Sequence, residues 1–206
     1  KKALLALSFG VLATAKASAP YLLTYENRAT DSGVNQSDCQ SSWNNQSSSI
    51  YSSDITSFHR LRANGSNRDQ HSHLSIDFDI SQSKSGQDWW FQFSPDAGLG
   101  GELYFDSNLV ERNNDNFGGL TTRIEAGIDR SFVKDVESGS HTLDLYWAEN
   151  CCNGGQSGRY SSDNGQTWLA LSTENLNAAA VPEPASLGLM ALGIAGLMVS
   201  RRKLRS

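Results

Sequence analysis

The sequence predicts an all-β domain, a single antiparallel β-sandwich or jelly roll, with one apolar helix before it and one after it. Three observations carry this. Leu74, Ile76, Phe78 and Ile80 alternate with Ser75, Asp77 and Asp79, the period-two pattern of a strand with one buried and one wet face. Leu143, Leu145 and Trp147 repeat the pattern around Asp144. Between Pro20 and Asn177 the apolar residues come in short runs bounded by Gly, Asn, Asp and Pro instead of at helical spacing, and the long apolar runs stand at the two chain ends.

The elements follow in order as residues 1–19, a body over 20–177 whose first part (20–70) is loop-rich, and a terminal segment over 178–206. Lys1 and Lys2 precede an apolar run from Ala3 to Leu12 and several small-x-small sites. That order is a secretory signal peptide, the substrate of signal peptidase. Cleavage after Ala17 is favoured over cleavage after Ala19, which would put Pro20 directly after the scissile bond. The stretch from Thr30 to Ser57 is polar, with Trp43 and Tyr51 nearly alone as large apolar residues, and is expected to be a long loop pinned through Cys39.

Further strands are expected at Trp90–Phe93, Glu102–Phe105, Ser131–Val136 and Gln166–Leu171, each bounded by turn residues. In His71-Ser72-His73 both imidazoles point to one side of a strand, a geometry that suits a metal, yet no third ligand is evident and both are expected at the surface. Trp89, Trp90, Tyr104, Tyr146 and Trp147 offer faces on which sugar rings stack, although alternation divides adjacent aromatics between core and surface.

The segment from Ser161 to Trp168 matches the Asp-box pattern Ser-x-Asp-x-Gly-x-Thr-Trp, which resembles the repeated hairpins of sialidase-like propellers. Its expected role is structural: the Asp163 carboxylate accepts bonds within the turn from Ser161 onward, Gly165 takes a positive φ, and Trp168 packs beneath. One copy without an internal repeat builds no propeller.

Three cysteines occur. In an exported protein the first choice is a disulfide from Cys39 to Cys151 or Cys152, closing a loop of roughly a hundred residues and removing several kcal/mol of unfolded-state entropy. A vicinal Cys151-Cys152 bridge is the less favoured pairing, and no Cys-x-x-Cys spacing suggests a metal.

The net charge of -5 understates the acidity of the body, because seven of the 17 basic residues lie in the two terminal segments. Between Ser18 and Val181 there are 10 basic against 21 acidic residues, a balance that repels phosphate backbones and excludes nucleic acid as a partner.

At the far end Val181-Pro182-Glu183-Pro184 is followed by an apolar helix over 186–199 and by Arg201, Arg202 and Lys203 in a basic tail over 201–205. The three parts in this order resemble the PEP-CTERM sorting signal. The apolar run is shorter than the ~20 residues that span a bilayer comfortably, which suits a transient hold better than a permanent anchor. The basic cluster keeps that end cytoplasmic while the body lies outside. The resemblance implies processing by an exosortase-type protease and delivery to the cell surface or an extracellular polysaccharide matrix. The competing reading is an ordinary membrane anchor that is never cut.

The segment Gly139 to Cys152 resembles fibro-slime domains and the related protective-antigen family of β-sandwiches, as do Phe91–Asp96 and Gly101–Asp106. The similarity spans about residues 70–172. Cys151-Cys152-Asn153-Gly154 resembles the Cys-Cys-x-Gly hallmark of a PEP-CTERM subgroup. Some protective-antigen-type domains bind sugars through calcium held by two adjacent aspartates in the loop corresponding to Ser94–Gly98. Here the loop reads Pro95-Asp96, so one carboxylate is missing. The oxygen ligands this resemblance leaves for calcium are Asp96, Asp106, Asp115 and Asn116, with Asn113 and Asn114 beside them, while the preferred reading of Asn113–Asn116 is a solvated turn.

No nucleophile elbow, phosphate loop or cysteine-nucleophile motif occurs, so no catalytic residue is nominated and no cofactor beyond calcium is implied. The chain is expected to be a structural or exopolysaccharide-binding component rather than an enzyme, the alternative being a polysaccharide-acting enzyme.

Overall fold

The computed structural model describes residues 21–30, 33–35, 37–47, 49–61, 69–95, 97–113, 130–150 and 155–180. Within them the alternation around Leu74 is realised as a strand, Gln70–Ile80, that pairs along its whole length with Gly139–Glu149. In chain order the strands are β1 Leu23–Ala29, β2 Ser49–Ile55, β3 Gln70–Ile80, β4 Gln87–Ser94, β5 Gly101–Phe105, β6 Asn108–Asn113, β7 Arg130–Val136, β8 Gly139–Glu149, β9 Ser157–Ser161 and β10 Leu169–Ala170. Helices α1 (Cys39–Asn44) and α2 (Thr173–Ala180) complete them.

The strands form two antiparallel sheets, in the orders β2-β1-β3-β8-β5-β6 and β10-β9-β4-β7. Their inner faces make the core. Leu74, Ile76 and Phe78 from β3 and Leu143, Leu145 and Trp147 from β8 meet Trp89, Phe91 and Phe93 from β4 and Tyr160 from β9. Across the two sheets the Phe78 ring meets Trp89 at 5.5 Å and Phe91 meets Phe105 at 6.0 Å, while within each sheet Trp89 lies over Tyr160 with ring centroids 5.5 Å apart and Tyr25 over Trp147 at 5.9 Å. Such pairs contribute about 0.5–1.5 kcal/mol beyond the area they bury. Gly158 on β9 is required by this packing, since a Cβ there would stand 2.8 Å from the Phe93 ring.

The segment expected as a long loop over Thr30–Ser57 instead contains α1 and β2. Asp38 starts α1 by accepting the Ser41 amide at 2.9 Å, an N-cap. Strand β2 sits at the sheet edge and is half wet, so its sequence shows little apolar alternation. β1 escaped sequence reading for a different reason: its third inward residue is polar. Asn27 is fully buried, and its amide donates to Tyr25 Oη at 2.9 Å and Ser72 Oγ at 2.6 Å. The strand expected at Gln166–Leu171 is shorter, because Gln166–Trp168 belong to a turn and β10 begins at Leu169. Helix α2 extends the folded body to Ala180, with Leu176 buried in the core.

Candidate functional site

Strand directions collect the long connections at one end of the sandwich. Ala29, Gln70, Glu149, Gly101 and Asn113 are joined through the ladder registers, so the ends of β1, β6 and β8 and the starts of β3 and β5 share that edge. In the second sheet Ser94 pairs with Ser157, and β7 enters at Arg130 on the same side. The connections over 95–100, 114–129 and 150–156 therefore leave from one rim. Three of the four nominated calcium ligands, Asp96, Asp115 and Asn116, fall in these connections and outside the described residues.

Asp106 does not join them. It stands in the β5–β6 turn, beyond Phe105 and hence at the opposite end of a five-residue strand. There it adopts φ 49°, accepts the Thr142 amide at 2.9 Å through Oδ1, and pairs with His141 Nδ1 at 2.7 Å through Oδ2. Asp106 is thus committed at the far end of β5, and no group of three or more metal-ligating side chains comes together among the described residues.

What organises the loop rim is a residue not nominated from sequence. Glu149 ends β8 and is buried, with Oε2 accepting the Gly98 amide at 2.7 Å and Oε1 the Asn150 amide at 2.7 Å. Leu99 donates to the Ala148 carbonyl and Ala148 to that of Gly100, both at 3.0 Å. The loop before β5 and the exit of β8 are one hydrogen-bonded unit.

A second built region lies on the outer face of the six-stranded sheet. Alternation puts His71 and His73 on that face of β3, with Tyr146 on β8 and Tyr104 on β5, and α1 covers them with Cys39 and Trp43. His73 stacks on Tyr146 at 4.2 Å with an interplanar angle of 2°, and its Nε2 meets Asp144 Oδ1 at 2.8 Å. Burial works to raise the Asp144 pKa, but hydrogen bonds from His73 and Ser75 hold it below the ordinary carboxylate value. Arg28 lies over the Trp43 ring at 4.1 Å and donates to the Trp43 carbonyl at 3.2 Å.

Beneath the start of α1, the buried Glu102 accepts from Gln40 N and Tyr104 Oη at 3.0 Å each and pairs with Arg112. Burial and the bond to Glu102 push Tyr104 up to about 12. His71, expected at the surface with His73, is fully buried, and burial lowers its pKa to about 4.

Among the described residues Cys39 is a free, fully buried thiol, and the expected bridge to Cys151 or Cys152 falls on partners outside them. Burial and the nearby Glu102 charge push it up to about 12.

The five aromatics nominated for stacking divide as alternation requires. Trp89 and Trp147 are core, Tyr104 and Tyr146 lie under α1, and Trp90 is half buried. The Asp box forms the turn between β9 and β10. Asp163 Oδ1 accepts Ser161 Oγ at 2.6 Å and the amides of Gln166 and Thr167 at 3.0 and 2.8 Å. Despite some burial, these bonds hold its carboxyl down at about 2. Gly165 takes φ 79°. The ring beneath Gly165 is Trp90 rather than Trp168, which instead lies under the Arg159 guanidinium at 4.8 Å.

Residues 180–203 match the PEP-CTERM protein-sorting motif, so Val181, Pro182, Glu183, Pro184 and the cluster Arg201, Arg202 and Lys203 fall within a recognised sorting segment. Their structure lies outside the described residues, and among those residues no helix is long and apolar enough to cross a membrane. No curated protein sequence matches the chain.

The fold is that of solved PA14 domains. The PA14 domain of the antifreeze protein MpAFP superposes with a TM-score of 0.55 at 17% identity, covering 79% of this chain and 94% of that one. The PA14 sugar-binding domain from an RTX adhesin gives 0.53 at 11% identity, over 76% and 97% of the two chains. An anti-sigma factor domain-containing protein from Clostridium clariflavum gives 0.52 at 13% identity, over 79% of this chain but only 48% of its own.

Proposed function

We propose that this chain is an exported surface or matrix protein, sorted by an exosortase-type protease, whose β-sandwich holds extracellular polysaccharide at its loop rim. The observation that carries the reading is the conjunction of the sorting motif at residues 180–203 with a PA14-type sandwich. A solved relative of that fold is described as sugar-binding. The fold supplies what such a role needs: a rigid, aromatic-packed body and one rim where several long connections converge, braced by Glu149.

The buried aromatics redirect the expected mode of contact. With Trp89, Trp147, Tyr104 and Tyr146 committed to packing, sugar contact at the rim falls to amide, carboxylate and backbone groups of the connections over 95–100, 114–129 and 150–156. Hydroxyl-rich ligands suit such donors and acceptors. Calcium remains a proposal limited to Asp96, Asp115 and Asn116, since Asp106 is committed elsewhere.

The test is retention of the processed protein on immobilised exopolysaccharide, with and without a calcium chelator, alongside an assay for released reducing sugar. Retention without turnover supports binding. Release of reducing sugar, abolished by changing one carboxylate, makes the chain an enzyme. The sorting claim is tested by mass spectrometry of the protein from cells with and without the protease: loss of the segment after about Val181 only in the first supports it, and an intact tail in both overturns it.

A further inference from the structure

The ladder between β5 and β8 ends at Gly101 opposite Trp147, yet the chain before β5 stays pressed against β8. Leu99 donates to the Ala148 carbonyl and Ala148 to that of Gly100, Gly100 turns at φ 94°, and Ala97 is fully buried. Gly101 shares the close approach: a Cβ on it would stand 3.2 Å from the Tyr146 carbonyl oxygen and 3.3 Å from Trp147 Cβ. Past Ala148 the contact passes from backbone to side chain. Glu149 takes it over, with its two oxygens accepting the amides of Gly98 and Asn150, and its own position is held by pairing with Gln70 on β3.

The chemistry singles out a carboxylate here. Two N–H donors from different segments converge on one side chain, and a carboxylate offers two accepting oxygens and no donor, whereas an amide of the same shape offers one of each. Burying a charge is costly, and a well-packed apolar side chain often serves stability as well. What the carboxylate adds is placement, because both of its oxygens are used, one by each segment.

We infer that Glu149 is a positioning residue for polysaccharide binding: it fixes Gly98–Gly100 against Asn150, so that the polar groups of both segments meet a sugar in one arrangement. The inference rests on the reading of the rim as the glycan-holding surface. Hydrogen bonds to sugar hydroxyls are directional, and a binding constellation works when its parts are held within about 0.5 Å. Two segments that drift independently lose that register even while the sandwich stays folded. Glu149 is buried behind the rim, so it acts through Gly98 and Asn150 and not by touching the ligand.

The experiment measures the affinity of the exported protein for exopolysaccharide purified from the producing cells, in the wild type, Glu149→Gln, Gly98→Ala and the double variant, each below its denaturation midpoint. Asp163→Ala is the control: Asp163 stands in the β9–β10 turn at the opposite end of the sandwich, so its loss lowers stability without touching the rim. Each rim variant is expected to bind roughly tenfold more weakly, the equivalent of one lost charge-assisted hydrogen bond. The double variant should bind no more weakly than either alone, because both changes break one contact, and Asp163→Ala should bind as the wild type does. Gly98→Ala keeps the charge and tests the same contact if Glu149→Gln does not fold. Rim variants that bind like the wild type overturn the proposal, as do losses that add in the double variant or a loss of equal size in Asp163→Ala. A wild type that is not retained overturns the glycan reading and this inference with it.

Discussion

Glu149 holds Gly98: its Oε2 accepts the Gly98 amide at 2.7 Å, while Oε1 accepts the amide of Asn150 at the same distance. One buried carboxylate thus fixes the loop entering β5 and the exit from β8. A Cβ on residue 98 would stand 3.0 Å from Oε2 and 3.1 Å from Oε1, so the brace requires glycine for space rather than for an unusual φ.

Two substitutions test that brace. Gly98→Ala should displace the Glu149 carboxylate, and Glu149→Gln should turn an amide donor toward an N–H that needs an acceptor. Each is expected to cost about 1–3 kcal/mol, read as a lowered denaturation midpoint. Hydrogen exchange should quicken at Gly98 and Asn150 before it does in the β3–β8 ladder. Unchanged exchange there would sink the assignment.

His71 makes stability fall in mild acid. It is buried and neutral, with a pKa near 4 against about 6.5 when unfolded. Below about pH 6.5 the unfolded chain binds a proton that the folded chain does not, so stability falls by up to ~1.4 kcal/mol per pH unit until about pH 4. His71→Leu should flatten that limb, measured as urea midpoints between pH 7 and 4; an unaltered slope would refute it.

Asp163 produces a separate, more acidic effect. Its folded pKa of about 2 lies below the ordinary 3.8, so its contribution is present above about pH 4 and is lost as pH falls toward 2. Asp163→Ala removes the acceptor for Ser161 Oγ and two turn amides. The expected cost is about 1 kcal/mol, with amide signals of Gln166 and Thr167 shifting while Trp89 and Tyr160 in the core stay as they were.

Cys39 should be chemically silent in the native protein. A fully buried thiol with its pKa pushed to about 12 presents almost no thiolate at pH 8. Disulfide reagents should label it only as fast as the protein opens, and unfolding in denaturant should raise the rate by orders of magnitude. Rapid native labelling at Cys39 would show that α1 does not seal the face.

The strands legible in the sequence were those whose alternation is purely apolar. Leu74–Ile80 and Leu143–Trp147 are the central pair β3 and β8, with one face entirely in the core. Strands with a polar inward residue or an edge position were not legible: Asn27 breaks the pattern of β1 because its partners, Tyr25 and Ser72, are supplied by the fold, and β2 has little to bury. Helix α1, six residues long, has too few turns to show a period and owes its place to Trp43, Cys39 and the ladder beneath them. The site was less legible still. Asp106 was nominated together with residues of the loop rim, and only the direction of β5 sends it to the other end of the sandwich.

By itself the sequence determined the sorting motif, the all-β class and the Asp-box turn, because each depends on order and local spacing within a few residues. Tertiary structure decided which carboxylates meet, which aromatics are spent on the core, that Cys39 is sealed beneath α1, and that Glu149 braces the rim. Those outcomes depend on which strands become neighbours and which way they run, and strand pairing across the sheets is a long-range choice that no local pattern encodes.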